Sequence, residues 1–447
     1  MTSVIKGSPH GHGSWNNMSS DATHGAQLIH ELDAVLSSKC QREKLKALSV
    51  AFTAGGARQR FDYRDGVRVQ ADERPTFATG CLLDLIYAVV CLALRDRSDL
   101  DLDAPLEAFL PEAAPEGGDG DAEPILVRHL VTRTSGIQDP RAIDEMRRVI
   151  TWETLAPRIR ASPRLFSPGE AFSYGGIDQV LLSRLIEQST GKSLTRLAHE
   201  TILDPLGVPV TEEQLGEMSA DGMRVIARFD AGDLVAIISL LAGEAAVPGN
   251  PFSKALRRDL AAEQVRLSRS ISLPPWPHAA TAFTLGLFRF SDGLIGFNGF
   301  EAGDSGAARY DSSNGAAFVV GLTGKPSVRD AIVEEVAGRL GYRSVSSTAT
   351  PCTVGRLNGL DLAEVAGSYT GWANGYGARV SVDGAEVGCE LTYMGGPFRH
   401  FRVRLEEEGW LVATSAAEIA AFEFFRDPGT GRVCMTAGYF PYAKVRD

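Results

Sequence analysis

A thiol and a carboxylate, Cys81 and Asp84, are three residues apart in the apolar segment CLLDLIYAVVCLAL. In a helix this spacing places both side chains on one face. Cys81 would lie near the helix start, where unpaired backbone N–H groups favour an anion and lower the pKa of a thiol. An ionised Asp84 would have the opposite effect, because a nearby like charge disfavours the thiolate. The pair indicates either nucleophilic chemistry at Cys81 or acid–base chemistry at Asp84.

Direct proton transfer from Cys81 to Asp84 is unfavourable. Their ordinary pKa values differ by about 4.6 units, which corresponds to roughly 6 kcal/mol. Burial of Asp84 in an apolar helix would raise the pKa of its carboxyl and narrow this gap. A thiol, unlike an alcohol, needs little assistance to become a nucleophile. Either the two side chains serve different roles, or only one of them takes part in the chemistry.

Each candidate also has a structural interpretation. A cysteine in an apolar helix is most often a small core residue, which is what we expect of Cys91 and what Cys81 could also be. Asp84 could cap the first helical turn, although a buried acid is costly unless it is paired or used. Arg133, in the segment TRTSG, is interpreted as a structural residue that ties loops together.

The segment that begins at Cys81 is apolar on all sides, so it should form a buried central helix. Strand-like segments precede it, helical segments follow it, and strands return from Phe283 before a closing helix at 327–340. This order predicts an α+β, three-layer fold with a mostly helical subdomain and a sheet assembled from both ends of the domain.

Composition divides the chain into four parts. The first residues are rich in Gly, Ser, Asn and His, a Ser-, Thr- and Val-rich stretch follows the closing helix, and the remainder alternates apolar and polar residues between turn signals. That last part predicts a small antiparallel sheet or barrel. The four parts are a flexible N-terminus at 1–25, a main domain at 26–343, a linker at 344–358 and a C-terminal β module at 359–447.

Charge and cysteine usage exclude several classes of function. The net charge of −11 argues against nucleic acid or an anionic membrane as the main partner. The first twenty residues contain no apolar segment of the secretory type, so we expect a cytoplasmic location. The six cysteines and eight histidines are scattered without metal-ligand spacing, so no metal site and no cofactor are expected. The expected partner is a small-molecule substrate.

Four segments resemble the serine β-lactamase and penicillin-binding-protein family, in particular its class C and esterase-like branch. Their order and spacing hold over roughly residues 45–340. The resemblance implies the β-lactamase/transpeptidase-like fold, and the C-terminal module is similar to the lipocalin-like tails of some members. The segments are TFATGCLLDLIYAVV at the Ser-x-x-Lys motif, HLVTRTSGIQD, FSPGEAFSYGGIDQVLLSRLIEQSTGKSL at the Tyr-x-Asn motif, and LIGFNGFEAGDSG at the Lys-Thr-Gly strand.

The chain departs from the family at most of its motif positions. Cys81 stands at the nucleophile position, Asp84 at the lysine position, and Gly176 at the asparagine of Tyr-x-Asn, whereas Tyr174 is retained. β-Lactam hydrolysis by the family's usual route is therefore not expected. Tyr174 is the candidate acid and base beside Cys81, although it could also be a hydrogen-bonded core tyrosine.

The third motif supplies the remaining candidates. Phe297 replaces the basic residue and is followed by Asn298 and Gly299. Phe297 is expected to line the pocket, and Asn298 to orient a substrate or cap a strand. The resemblance further implies that the backbone N–H groups of Cys81 and Phe300 form an oxyanion hole. Together these residues predict a substrate pocket formed by Gly176, Phe297, Asn298, Gly299 and Phe300.

Three functions remain open. The leading one is a tailoring enzyme of bacterial specialised metabolism that hydrolyses or transfers the acyl group of an ester, thioester or amide, with a carrier-bound acyl group as one option. In it, Cys81 is the nucleophile and Tyr174 the acid and base. The second is a non-covalent cyclase, isomerase or lyase that uses Asp84 and Tyr174. The third is a catalytically inactive binding protein.

Overall fold

A computed structural model describes most of the chain, in the ranges 22–54, 57–70, 73–78, 80–115, 123–146, 148, 150–208, 217–219, 222–224, 228–242, 252–267, 280–290, 292–342, 353–406, 409–413 and 422–445. The predicted flexible N-terminus lies outside these ranges as far as residue 21. The first helix begins at Ala22, so the last residues assigned to that terminus are helical.

Along the chain, most helices fall between the two groups of strands that form the main sheet. None of those in the part of the chain that the structure describes has the length and hydropathy needed to span a bilayer. The helices are α1 (Ala22–Glu43), α2 (Asp84–Asp96), α3 (Val127–Val131), α4 (Trp152–Arg160), α5 (Ile177–Thr190), α6 (Leu194–Ala198), α7 (Asp204–Leu206), α8 (Ala231–Ala242), α9 (Lys254–Ala261), α10 (Pro326–Arg339) and α11 (Leu362–Val365). A 3₁₀ turn, Gly80–Leu83, leads directly into α2.

The main sheet has nine strands in the order β3-β2-β1-β13-β12-β11-β10-β9-β8. Its strands are β1 (Ala47–Ala54), β2 (Ala57–Arg64), β3 (Val67–Arg68), β8 (Val265–Arg266), β9 (Ala280–Phe283), β10 (Phe288–Phe290), β11 (Ile295–Glu301), β12 (Asp304–Tyr310) and β13 (Ala317–Thr323). Strand β1 pairs antiparallel with β13, with Val50 opposite Val320. The sheet is therefore assembled from both ends of the main domain, as predicted.

Helices cover both faces of this sheet. Leu36 of α1 and Val336 of α10 pack with Val50 on one face. On the other face, Ala51 belongs to the core that contains the apolar residues of α2, α5 and α8. Successive residues of a strand point to opposite faces, so neighbours such as Val50 and Ala51 join different cores. The predicted α+β three-layer fold is confirmed.

Short strand pairs accompany the helices. Strand β4 (Phe77–Ala78) pairs with β7 (Arg228–Phe229), and β5 (Glu217–Ser219) pairs with β6 (Gly222–Arg224). Strand β4 ends just before the turn that carries Cys81, so it guides the chain toward the start of α2.

The C-terminal module is a closed barrel in the order β14-β19-β18-β17-β16-β15-β22-β21-β20. Residues 344–352 of the predicted linker lie outside the described ranges, but β14 occupies part of the rest. Thr and Val favour strands as readily as loops, and here Arg356 pairs with Trp410 of β19. The strands are β14 (Thr353–Arg356), β15 (Gly367–Gly371), β16 (Tyr376–Asp383), β17 (Glu386–Tyr393), β18 (Gly396–Leu405), β19 (Trp410–Ala413), β20 (Phe422–Arg426), β21 (Val433–Ala437) and β22 (Phe440–Lys444).

Backbone hydrogen bonds join the barrel to the main domain. The Asp139 N–H donates to the Trp372 carbonyl and the Asn374 N–H to the Asp139 carbonyl, both at 2.9 Å. The Tyr174 N–H donates to the Tyr439 carbonyl, also at 2.9 Å. Main-domain side chains, among them Leu165 and Phe166, belong to the core of the barrel. The barrel is therefore fixed against the segment that carries Tyr174.

Candidate active site

A cavity of about 640 Å³ lies where the main domain meets the barrel. The three residues predicted as catalytic, Cys81, Asp84 and Tyr174, all line its main-domain wall, and so does Gly176. The opposite wall belongs to one end of the barrel, where the connections β15–β16, β17–β18 and β21–β22 lie. The structure thus brings together side chains that are far apart in the sequence.

Cys81 is half-buried in the 3₁₀ turn before α2. The residue before it, Gly80, has a φ of 50°, and a Cβ there would lie 2.8 Å from the Phe300 carbonyl oxygen and 3.1 Å from its backbone nitrogen. Only glycine combines this left-handed backbone with so close an approach. The turn therefore brings the backbone of β11 beside Cys81, as the predicted oxyanion hole requires.

Asp84 is buried and fully engaged by two partners. Arg133 Nη2 donates to its Oδ2 at 2.6 Å, with both side chains about 5% exposed. Gln179 Nε2, from α5, donates to the other carboxylate oxygen, Oδ1. Burial raises the pKa of the Asp84 carboxyl, and the adjacent guanidinium opposes that rise. Both oxygens of Asp84 thus already accept hydrogen bonds from the protein.

Arg133 also contacts Tyr174. Its guanidinium lies 4.6 Å from the centre of the Tyr174 ring, and Nη1 donates to the Gly175 carbonyl at 3.2 Å. It does tie loops together, as predicted, but it also lines the cavity and is the cation paired with Asp84. Asp84 stands where the family has a lysine, and a positive charge is supplied instead by Arg133, which belongs to another segment of the chain. An arginine between two threonines gives no local signal of this role.

Tyr174 connects the charged pair to the thiol. The side-chain interaction between Tyr174 and Cys81 lowers the pKa of the thiol and raises the pKa of the phenol. Burial, Cys81 and Asp84 raise the pKa of the phenol well above its ordinary value of 10.0, and Arg133 opposes them only in part. Tyr174 is therefore protonated at neutral pH and can act there as a proton donor.

The thiol of Cys81 is also protonated at neutral pH. Burial, followed by the charge of Asp84, raises its pKa above the ordinary 9.0, while the hydrogen bond with Tyr174 and the charge of Arg133 lower it. The helix start was expected to lower this pKa. That expectation fails because α2 itself begins only at Asp84, and desolvation outweighs the turn.

This raised pKa predicts the rate of Cys81 alkylation. We expect the rate with iodoacetamide to rise about tenfold per pH unit from pH 7 to 9, because only the thiolate reacts. Mass spectrometry of the Cys81 peptide measures it, and a plateau near pH 7 would contradict the prediction. Tyr174→Phe should be slower at each pH because it loses a hydrogen bond that stabilises the thiolate. Interference is limited because burial raises the pKa of four other cysteines to about 12, namely Cys40, Cys91, Cys389 and Cys434.

Gly176 makes room for a buried ion pair. A Cβ at Gly176 would lie 3.0 Å from Arg141 Nη2. Arg141 is paired with Asp139 at 2.7 Å, and both side chains are buried. The guanidinium therefore occupies space beside the backbone where the family's asparagine side chain would begin. Because Asp139 also bonds to the barrel through its backbone, this change is linked to the docking of that module.

The predicted pocket residues of β11 lie elsewhere than expected. Phe297 is only 2% exposed and packs behind Tyr174, with ring centres 6.3 Å apart. Asn298 Oδ1 accepts a hydrogen bond from Arg309 at 2.7 Å, and the Gly299 carbonyl accepts one from Arg329. The cavity wall includes Glu301 rather than these residues, and Phe300 approaches Gly80 only through its backbone.

The reason is the alternation of the strand. Phe297 faces the aromatic cluster, and the following side chain faces the opposite side of the sheet, where it is bound by an arginine. The side chains of Phe297, Asn298 and Phe300 therefore do not line the cavity that contains Cys81. The arginines that bind this strand, Arg309 and Arg329, come from positions that the motif did not indicate.

Comparison with known proteins agrees with this geometry. Esterase EstB of Burkholderia gladioli is 27% identical over 227 residues, which cover 46% of this chain and 56% of that protein. The chain thus matches little more than half the length of that relative. The structure of SurE with D-Leu has a TM-score of 0.72 at 20% identity, covering 94% of this chain and 100% of that one.

A class C β-lactamase solved with cefoxitin has a TM-score of 0.54 at 15% identity, covering 70% of this chain and 98% of that one. These two structural likenesses concern the fold. The Beta-lactamase family model matches residues 27–343, nearly the whole main domain, and the chain therefore belongs to the β-lactamase family.

Proposed function

We propose that this chain is an acyl hydrolase or acyltransferase that forms a thioester on Cys81, with Tyr174 as the proton donor and relay. The observation that carries this proposal is that Tyr174 and the half-buried Cys81 line the same wall of the cavity and are close enough to shift each other's pKa. The match to an esterase of the same family supports the reaction class.

In the first step the Cys81 sulfur attacks the carbonyl carbon of the donor. The thiol proton passes to the Tyr174 oxygen as the phenolic proton passes to the leaving atom, so that Tyr174 remains neutral. The bond from the carbonyl carbon to that atom breaks and leaves an alcohol, thiol or amine. In the second step water or an acceptor attacks the carbonyl carbon of the thioester and loses its proton to Tyr174. The carbon–sulfur bond breaks as Tyr174 returns its own proton to sulfur, and the acyl group leaves as a carboxylic acid or on the acceptor.

This relay avoids both unfavourable ionisations. The thiol and the phenol both have raised pKa values, so a free thiolate or phenolate is scarce at neutral pH. A concerted transfer needs neither, and the Arg133 guanidinium, 4.6 Å from the ring centre, stabilises negative charge that develops on Tyr174. Asp84 acts through Arg133, by holding the guanidinium against the ring.

The alternative with Asp84 as a free base has less support. Both carboxylate oxygens accept hydrogen bonds, from Arg133 and from Gln179. A base that holds a buried ion pair together would have to break that pair to take up a proton, which is costly in a low-dielectric interior. A non-covalent cyclase, isomerase or lyase mechanism would require activity in Cys81→Ala and its loss in Asp84→Asn.

The substrate class is part of the proposal. The rebuilt motif positions favour a donor other than a β-lactam, such as an ester, thioester or amide that is free or carrier-bound. A role as a tailoring enzyme of bacterial specialised metabolism is consistent with those changes. Because SurE was solved with D-Leu, leucine esters of both configurations belong among the donors tested.

Acylation of the whole protein tests this proposal. After incubation with an activated acyl thioester, we expect wild-type protein to gain the mass of one acyl group, which neutral hydroxylamine removes as expected for a thioester. Cys81→Ala should gain none. Tyr174→Phe keeps the ring and its packing and should acylate more slowly, by about 10²-fold, because the proton relay is lost. Equal acylation of Cys81→Ala, or neither adduct nor turnover in the wild type with every donor, would exclude the proposal.

A further inference from the structure

The cavity extends well beyond Cys81, and its far wall is aromatic. The main-domain wall carries the thiol, the Asp84–Arg133 pair and the Tyr174 hydroxyl, and the barrel adds one charged residue, Arg399. The barrel contributes seven aromatic residues to the other wall, namely Trp372, Tyr376, Phe398, Phe401, Tyr439, Phe440 and Tyr442. A site with a few polar groups at one end and apolar rings at the other is typical of a pocket that orients an amphipathic ligand.

These rings form a continuous path from the thiol to the surface. Phe440 packs edge-on against Tyr174, with ring centres 6.4 Å apart, and stacks on Trp372 at 4.7 Å. Trp372 lies 5.1 Å from Tyr376, which meets Phe398 at 5.9 Å. The path thus begins at Tyr174, which lines the cavity together with Cys81, and ends at the exposed Phe398.

The outer end of the path is exposed. Phe398 is 52% exposed, and Ile143, on the main-domain side of the same cavity, is 40% exposed. Large apolar side chains left in water around one cavity are a common mark of a binding surface. Phe398 and Ile143 line the same cavity as the nucleophile Cys81. The ligand that they indicate is therefore part of the substrate.

The path is also held in place relative to Cys81. The two backbone hydrogen bonds at Asp139 lie on either side of Ala373, directly after Trp372. The Tyr439 carbonyl is bound by the N–H of Tyr174 itself, at 2.9 Å. The aromatic wall is thus tied to the main domain at two points, and one of them is the backbone of the proton donor itself. A wall fixed in this way can select a substrate by shape, because little ordering is needed on binding.

We propose that the C-terminal barrel is the specificity subsite of this enzyme and that it binds an aromatic or large apolar substituent of the acyl donor. The proposal rests on the proposed acyl-transfer function for its kinetic test. The barrel provides the surface against which the substituent stacks, while the main domain provides the thiol and the proton donor. Neither part contains the whole site.

The kinetic experiment compares two series of thioesters. In one series the acyl group is acetyl or 3-phenylpropionyl on ethanethiol. In the other, acetyl is carried by ethanethiol or by 2-phenylethanethiol. We expect the wild type to prefer the phenyl compound in at least one series. That preference, as a ratio of kcat/KM values, should fall about tenfold in Trp372→Leu and in Phe398→Ala, mainly through KM.

Two features keep this experiment decisive. Phe398 is exposed, so Phe398→Ala should fold even if Trp372→Leu, which alters a buried residue, does not. Phe425 is a half-buried aromatic residue of the barrel that lines a different cavity, and Phe425→Ala should leave the preference unchanged. Equal preference in the wild type and in Phe398→Ala, in both series, would overturn the proposal.

A binding measurement separates this inference from the proposed function. In Cys81→Ala, which cannot form a thioester, 4-phenylbutyramide should bind about tenfold more tightly than butyramide in an NMR titration. Adding Phe398→Ala should reduce that difference. If thioester formation fails but this difference is seen, the subsite stands without the covalent mechanism. If acylation succeeds but the phenyl group gives no advantage, the subsite is refuted and the mechanism stands.

Discussion

Cys81→Ala is expected to lower kcat/KM by about 10³-fold or more, because the residue that forms the covalent intermediate is removed. Asp84→Asn should lose much less, about tenfold, since an amide can still accept a hydrogen bond from Arg133. Steady-state kinetics with the best donor found in the acylation assay gives both values. Thermal unfolding of each variant confirms that the fold is retained.

The comparison of these two variants distinguishes the remaining mechanisms. If Asp84→Asn is inactive while Cys81→Ala continues to turn over, the chemistry is non-covalent and Asp84 is its base. Cys81→Ser serves as the conservative control. It should retain only a small fraction of the activity, because an alcohol needs a strong base nearby and the position of the family's lysine holds Asp84.

Arg133→Met is expected to destabilise the protein by about 3–5 kcal/mol, because it leaves the Asp84 carboxylate buried without its cation. The two side chains are each about 5% exposed and are joined at 2.6 Å, so water cannot replace the lost partner easily. The double variant Asp84→Leu with Arg133→Met removes both charges and should recover most of that loss. Urea unfolding of the three variants and the wild type measures the free energies.

A surface ion pair gives the matched control for this experiment. Arg148 and Asp144 lie 3.6 Å apart with side chains 70% and 60% exposed. Arg148→Met should change the free energy of unfolding by no more than about 1 kcal/mol. If Arg133→Met costs no more than this control, the buried pair is not the structural centre of the site, and the role assigned to Asp84 falls with it.

Local sequence patterns predicted much of the fold. The apolar segment after Cys81 became the buried helix α2, the strands of the main sheet came from both ends of the main domain, and the alternating C-terminal segments became a closed barrel. These features depend on hydrophobic periodicity, which is a property of neighbouring residues. The barrel begins earlier than predicted, with β14 inside the predicted linker, because a Thr- and Val-rich stretch favours a strand as well as a linker.

The candidate site was only partly predictable. Cys81, Asp84 and Tyr174 were placed correctly on one cavity because the order of the motifs implied the fold that brings them together. Phe297 was misplaced because a motif position does not say which side of a strand its side chain faces. Gly176 was read as a loss, whereas in the structure the glycine accommodates Arg141.

The family, the layer architecture and the pairing of a thiol with a carboxylate at the start of a buried helix can all be recognised in the amino-acid sequence. The electrostatics of that pair depend on the folded chain. Arg133 and Gln179 reach Asp84 from 49 and 95 residues away, and the barrel supplies an aromatic wall from still further along the chain. Contacts between distant segments leave no periodic trace in the sequence. The pKa values of Cys81 and Tyr174 depend on those contacts and on burial, so they follow only from the folded chain.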